Sequence, residues 1–317
     1  MVMKKGFTLL EMIVTIVILG ILSAGTFVSL QHLYLRSAKS KAMSDLSVES
    51  QIIVEQVSAL MYDRVPSSVI GYNPTNNQFE SIYTVDNNFT VLEWIGIASE
   101  AHKIRAYSGF VDMNASDGTT RRLSTPPSLN QTQLFATVRA KFGGVHEFAS
   151  DSVRLVFAGS FDDGAIYHSD DFNNTFGWHG NAANDVWHLA SMNVDGNITL
   201  VLKPDEIYEK YYLVDSAYAV ARGSDVNILT CNDDLNATTT ANTLFLFYNF
   251  RPWKGETFCA DIGTQGTRAG NVTILSQNVS GFEAGVINGT IYFNVTMNKV
   301  IRGSDTNVTI SKQKAVY

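Results

Sequence analysis

One stretch limits what this chain can become. From Phe7 to Leu30 it is apolar, and Glu11 is the only charge. Roughly twenty-four residues at ~1.5 Å each make a helix long enough to cross a hydrocarbon core of ~30 Å. Lys4 and Lys5 stand just before it. Basic residues stay on the cytoplasmic side, so the rest of the chain is expected outside the inner membrane.

Glu11 is out of place there. A carboxylate costs something like 2–3 kcal/mol at the centre of a bilayer. A cation would offset that, and the nearest candidate is a free amine at Phe7, made by cutting after Gly6. In a staggered stack of such helices, Glu11 of one copy would face the amine of its neighbour. The plain alternative is an ordinary signal anchor with a stray acid at its mouth.

The run Gly6-Phe7-Thr8-Leu9-Leu10-Glu11 resembles the leader junction of type IV pilins and type II secretion pseudopilins. The resemblance implies that a prepilin peptidase cuts after Gly6 and methylates the new amine of Phe7. Glu11 matches the family's acidic assembly residue. A usual secretory signal would end in small residues and be removed whole. The partners so implied are other pilin or pseudopilin subunits through the N-terminal helix, the prepilin peptidase and the inner membrane. The implied location is the inner membrane, with a cytoplasmic N-terminus and a periplasmic domain, and then a pilus or pseudopilus. No proline interrupts the segment through Val28, as in a straighter helix of a minor subunit.

Past residue 30 the helix is expected to continue to Asp63. Leu35, Ala38, Ala42, Leu46, Ile53, Val57 and Leu60 recur mostly three or four apart, with charged residues between them. Pro66 and the Ser67-Ser68 pair end the pattern. The apolar stripe needs a sheet to cover it. From about Val69 the period changes to that of strands. Strands are expected at Phe89 to Ile95, Val153 to Phe157, Ile198 to Leu202, Tyr211 to Val220 and Thr243 to Tyr248. Asn288-Gly289 is the strongest hairpin signal, because both residues tolerate positive φ. Beyond it, Ile291, Phe293, Val295 and Met297 fall on one face. The fold class expected is α+β: a long hydrophobic helix packed on a large β-rich domain. Its parts are a leader (1–6), the membrane half of the helix (7–30), its amphipathic half (31–63) and a globular domain (64–317).

A weaker resemblance covers most of the chain. It runs through Ile53-Val54-Glu55-Gln56-Val57, Arg64-Val65-Pro66-Ser67-Ser68-Val69 and Leu92-Glu93-Trp94-Ile95. Tyr212 to Tyr218 and Val279-Ser280-Gly281-Phe282 continue it. These are similar to the J-type minor pseudopilins and to the MshO-type subunits of the mannose-sensitive haemagglutinin (MSHA) pilus. That implies an assembly-initiating or structural subunit at a fibre tip. The alternatives are a type II secretion minor pseudopilin, or a tip adhesin whose site lies on the loop from Phe161 to His188.

Other chemistry is sparse. Cys231 and Cys259 are the only cysteines. In an oxidising compartment a bond between them would stabilise by roughly 3 kcal/mol; two unpaired thiols are the alternative. Asn-x-Ser/Thr occurs at eleven positions, and six have Asp two residues upstream: Asn88, Asn114, Asn173, Asn197, Asn236 and Asn307. Composition alone gives roughly one such case. The pattern resembles the acceptor site of a bacterial oligosaccharyltransferase and makes these asparagines candidate glycosylation sites; polar turn chemistry is the competing explanation. Asp162, Asp163, His168, Asp170, Asp171, His179, Asp185 and His188 cluster in one loop, but their spacing fits no calcium loop; a solvated loop is the default and no metal is expected. His32, His102 and His146 read as isolated. No nucleophile elbow or phosphate-cradling glycine loop occurs, so neither an enzyme nor a cofactor is expected. A net charge of −7 argues against a nucleic-acid partner.

Overall fold

The computed structural model describes residues 8–75, 78–83, 89–150, 152–158, 176–180, 192–194, 197–201, 207–226, 241–259, 267–268, 270–301 and 306–317. The fold is α+β. One unbroken helix, Leu9–Tyr62, spans 54 residues, and its last turns, from Ser50, belong with a large, mainly antiparallel β domain. It stops where the sequence says it must. Val65, held extended by the following proline (φ −73°, ψ 118°), leads into a 3-10 turn at Pro66–Ser68.

The chain divides into two compact units. The first holds the helix through Glu49 together with Asn298–Ile310; the second holds Ser50–Met297 with Ser311–Tyr317. In the first, Ala42 and Leu46 are buried, and Lys299 lies 3.8 Å from Asp45. In the second, Ser50, Ile53, Val54, Val57 and Met61 are buried, and Lys314 pairs with Glu55 at 3.4 Å. Leu60, expected in the stripe, is only half-buried, and Met61 takes its place. A period of 3.6 residues makes a buried stripe drift around a long helix, so the last turn presents its next residue.

The principal sheet has seven strands built around Tyr211–Arg222. On one edge that strand pairs with Val91–Ile97, which continues to Ile70–Asn73 and Gln78–Ser81. On the other it pairs first with Arg154–Phe157 and then with Leu244–Phe250, which carries Asn271–Ser276. The central strand is buried on both faces for most of its length. Phe245, Phe247 and Phe250 lie directly opposite Ala221, Ala219 and Ala217. Each large ring thus has a small neighbour, which lets one face close at interior density. Trp94 and Tyr218 are also cross-strand partners and stack with centroids 5.6 Å apart.

A second sheet joins Val279–Ile287, Thr290–Val300 and Asn307–Val316. The Asn288-Gly289 turn has φ of 50° and 75°, the left-handed pair that a two-residue hairpin requires. Ile291, Phe293, Val295 and Met297 are all buried, as the alternation predicts. A four-stranded sheet, Asp112–Asp117, Arg122–Ser124, Ile198–Leu200 and Met192–Val194, and a short parallel pair, Glu256–Thr257 with Thr267–Arg268, complete the described strands.

A short helix, Gln131–Phe142, is capped by Asn130, whose side chain accepts from Gln133 N at 3.1 Å. Its last turn brings Lys141 to 3.2 Å from Glu100 and 3.6 Å from Asp215. Asp215 is buried in the central strand. Burial pushes its carboxyl up to about 6, against the pull of Lys141. A raised carboxyl favours the folded state fully below its unfolded value of 3.8 and loses that contribution as pH climbs through about 6. The difference is on the order of 2–3 kcal/mol. Asp215→Asn should therefore gain stability on the wild type between pH 4 and pH 7.5, by up to about that amount. Melting curves of both chains at the two pH values check it; parallel changes would refute it.

Candidate functional site

The helix begins with a reciprocal cap. Thr8 Oγ1 accepts from Glu11 N at 3.3 Å, and Glu11 Oε2 accepts from Thr8 N at 3.4 Å. Threonine before the first helical residue and glutamate three later are the two halves of a capping box, which satisfies helix-start donors that water or lipid must otherwise serve. Thr15 Oγ1 adds a bond to the Glu11 carbonyl at 2.7 Å. Glu11 therefore has a partner within its own chain, which the reading from the sequence did not assign. Thr8-x-x-Glu11 ahead of an apolar run is the signal that reveals it.

Beyond the cap the apolar run is bare. Side chains from Leu9 (80 % exposed) to Leu30 (64 %) touch little among the described residues. The helix is long and apolar enough to cross a membrane, and none of its most apolar window is buried. Side chains of this kind each gain about 1.5–3 kcal/mol on leaving water, so the run requires lipid or other helices around it. Gly6 and Phe7, the expected cleavage junction, lie outside the described residues, as do Lys4 and Lys5. His32 is exposed on the helix.

The remaining site residues are scattered. Asn114 is exposed in the strand Asp112–Asp117. Asp112 Oδ1 accepts from Asn114 N at 3.0 Å and from Ala115 N at 3.2 Å, and Ser116 Oγ donates to Asp112 O at 2.6 Å. Its upstream aspartate thus holds a local turn. Asn307 is exposed at the start of its strand and Asn197 is half-buried. Asn88, Asn173 and Asn236 lie outside the described residues. Cys259 is fully buried, and no cysteine is free among the described residues; Cys231 lies outside them.

Three histidine readings need correction. His102 is not isolated: its Nε2 lies 3.3 Å from Ser108 O, and its ring centroid lies 5.2 Å from that of Tyr107. His146 is not isolated. Its Nε2 lies 2.7 Å from Gly143 O, and its Nδ1 lies 3.4 Å from Arg251 Nη2. A carbonyl only accepts, so Nε2 carries the hydrogen and Nδ1 accepts from the guanidinium. Burial lowers this imidazole's pKa. His179 belongs to no solvated loop. It is buried, as are Phe176 and Trp178 beside it. Its Nε2 lies 2.9 Å from Glu93 Oε1, and its ring stacks on Tyr72 at 4.2 Å. The rest of the polar cluster, Asp162, Asp163, His168, Asp170, Asp171, Asp185 and His188, lies outside the described residues. Among the described residues no group of three metal-type side chains converges.

Residues 1–27 match a family described as the prokaryotic N-terminal methylation motif. No curated protein and no solved structure matches the chain. The matched segment holds the Thr8–Glu11 cap and most of the bare apolar run. The match supports the resemblance of this N-terminal segment to type IV pilins and pseudopilins.

Proposed function

We propose that the chain is a minor, J-type subunit of a type IV pilus of the MSHA kind, structural or assembly-initiating rather than catalytic. Prepilin peptidase removes residues 1–6 and methylates Phe7. The bare helix then holds the subunit in the inner membrane, with the β domain in the periplasm, until the helix enters a fibre. One observation carries the reading: a methylation motif runs directly into a capped helix whose apolar surface has no cover among the described residues. A minor pseudopilin of a type II secretion system would use the same helix in the same way. Co-purification from cross-linked cells separates the two, since the partners recovered are pilus subunits in one case and secretion pseudopilins in the other.

Two modifications belong to this reading. We assign a disulfide to Cys231 and Cys259, and glycans to some of the Asp-x-Asn-x-Ser/Thr sites. Exposed Asn114 and Asn307 are the described sites open to a transferase. The intact mass of native protein should begin at a methylated Phe7, carry added sugar mass, and fall by two hydrogens relative to the reduced chain. A mature chain that starts elsewhere removes the subunit reading. A mass with no sugar removes the glycans alone.

A further inference from the structure

We infer that one face of the long helix, from Ile21 to Lys41, seats an anionic phospholipid of the outer leaflet of the inner membrane. Two grooves lie end to end on that face and share Leu33. The lower groove falls within the apolar run and includes Ile21, Gly25 and Ser29. The upper one begins where that run ends and includes Arg36, Ser37, Ser40 and Lys41. Gly25, Ser29, Leu33 and Ser37 recur every fourth residue, which keeps them in one row on a helix. The inference rests on the membrane placement proposed above.

The lower groove suits an acyl chain. Gly25 leaves a notch in the helix surface, since a Cβ built there meets nothing within 4 Å. Ile21, Leu22, Leu30 and Leu33 wall it with exposed apolar side chains. Its two hydroxyls are already satisfied by the helix itself. Ser29 Oγ donates to Gly25 O and Thr26 Oγ1 donates to Ser23 O, each at 2.9 Å. A hydrocarbon chain therefore covers the notch without stranding a polar group.

The upper groove suits a phosphate. The chain carries a net charge of −7, yet no acid occurs from Met12 to Ser44. Arg36 and Lys41 stand exposed on the groove, with the exposed hydroxyls of Ser37, Ser40 and Ser44 between and beyond them. None of these five side chains has a partner among the described residues. Asp45 closes the far end, and Lys299 lies 3.8 Å from it and offsets its charge. The depth also fits. Arg36 lies six residues past Leu30, about 9 Å along the helix, and a headgroup layer is about 5–8 Å thick. Helical side chains lean toward the N-terminus, here the membrane, so Arg36 and Lys41 reach back to phosphate depth. Exposed Tyr34 sits at the level where such rings anchor a spanning helix. A phosphodiester accepts from guanidinium, ammonium and hydroxyls together. A zwitterionic lipid would bring its own cation to the same place, and a neighbouring apolar helix would cover the lower groove and leave both cations unmet. An anionic lipid fills both grooves at once.

The test is native mass spectrometry of the full chain, purified from membranes into a zwitterionic detergent. The probes are phosphatidylglycerol, phosphatidylcholine with the same acyl chains, and glycerol phosphate, the headgroup alone. Phosphatidylglycerol adducts should exceed those of phosphatidylcholine at least about fivefold. Arg36→Gln/Lys41→Gln, at exposed helical positions that glutamine tolerates, should lose at least about tenfold of the phosphatidylglycerol signal. Lys39→Gln removes a cation from the same turns that does not line the groove and should stay within about twofold of the wild type. Equal adducts of the two lipids overturn the proposal, as does an unchanged double variant. A loss in Lys39→Gln as large as in the double variant overturns it too, since general attraction would then suffice. Glycerol phosphate binding as well as the lipid makes the ligand a free phosphate and removes the lipid. The mass in the same spectra gives the first residue of the chain, so a methylated Phe7 without lipid adducts sinks this inference and leaves the subunit reading standing.

Discussion

Glu11→Ala and Glu11→Gln should both be cleaved normally, and both should reach the fibre at least about tenfold less than the wild type. The two substitutions separate the two roles that the carboxylate combines. Within the chain Glu11 closes a capping box with Thr8, and glutamine at that position closes the same box. Between chains, in the reading proposed above, it meets the amine of a neighbour's Phe7, and glutamine has no charge to meet it with. The size follows from where the subunit starts and ends. A helix leaving lipid for a bundle exchanges one apolar surrounding for another, so its bare side chains supply little net drive and no register. The polar term is left to choose the register. A carboxylate stranded in hydrocarbon costs about 2–3 kcal/mol, and about 1.4 kcal/mol is a factor of ten in an equilibrium constant. Immunoblots of sheared fibres against whole-cell protein read the ratio. Full incorporation of Glu11→Gln with loss of Glu11→Ala would make the cap the requirement and the charge irrelevant.

The parts of this fold that could be read from the sequence are those specified by neighbours in the chain. Pro66 fixes the helix end through the geometry of Val65, and Asn288-Gly289 fixes a hairpin through two positive φ values. The stripe from Leu35 to Val57 needed only a period of 3.6. Thr8 and Glu11 are equally local. Their spacing alone, Thr-x-x-Glu ahead of an apolar run, specifies the cap. What could not be read is non-local. Nothing near Ala217, Ala219 or Ala221 says that a phenylalanine will lie opposite each, since that match is set by the register of strands distant in sequence. Glu93 shows the limit most clearly. Its strand alternation puts it on the face of Val91 and Ile95, both part of the apolar core, and the chain near it offers no hint of what would make that tolerable.

His179 is what makes it tolerable, and removing it should cost about 3–5 kcal/mol. The Glu93 carboxylate has almost no solvent exposure, and the His179 imidazole 2.9 Å away is buried with it. The imidazole is held edge-on by its surroundings. Tyr72 stacks on it at 4.2 Å, Phe79 tilts over it at 4.7 Å, and Phe258 meets it edgewise at 6.4 Å. His179→Phe keeps the ring contacts and deletes the nitrogen, leaving a buried carboxylate facing carbon. Glu93→Leu alone leaves an imidazole that has lost one polar neighbour, a smaller loss of about 1–3 kcal/mol. The double variant replaces the pair with apolar groups of similar volume and should recover most of what His179→Phe loses, because a buried pair as a whole is often worth little. The left-handed φ of 53° at residue 179 penalises phenylalanine equally in the single and double variants, so it cancels in the cycle. Denaturant titration of the four chains should give a coupling of at least about 2 kcal/mol. The single His179→Phe variant should melt on the order of 10 °C lower. The segment Phe176–His179 would lose its hold on the sheet at the same time, and limited proteolysis should cut there first in that variant. Additive losses would mean that the aromatic stack alone holds the segment and that Glu93 has found another way to live in the core.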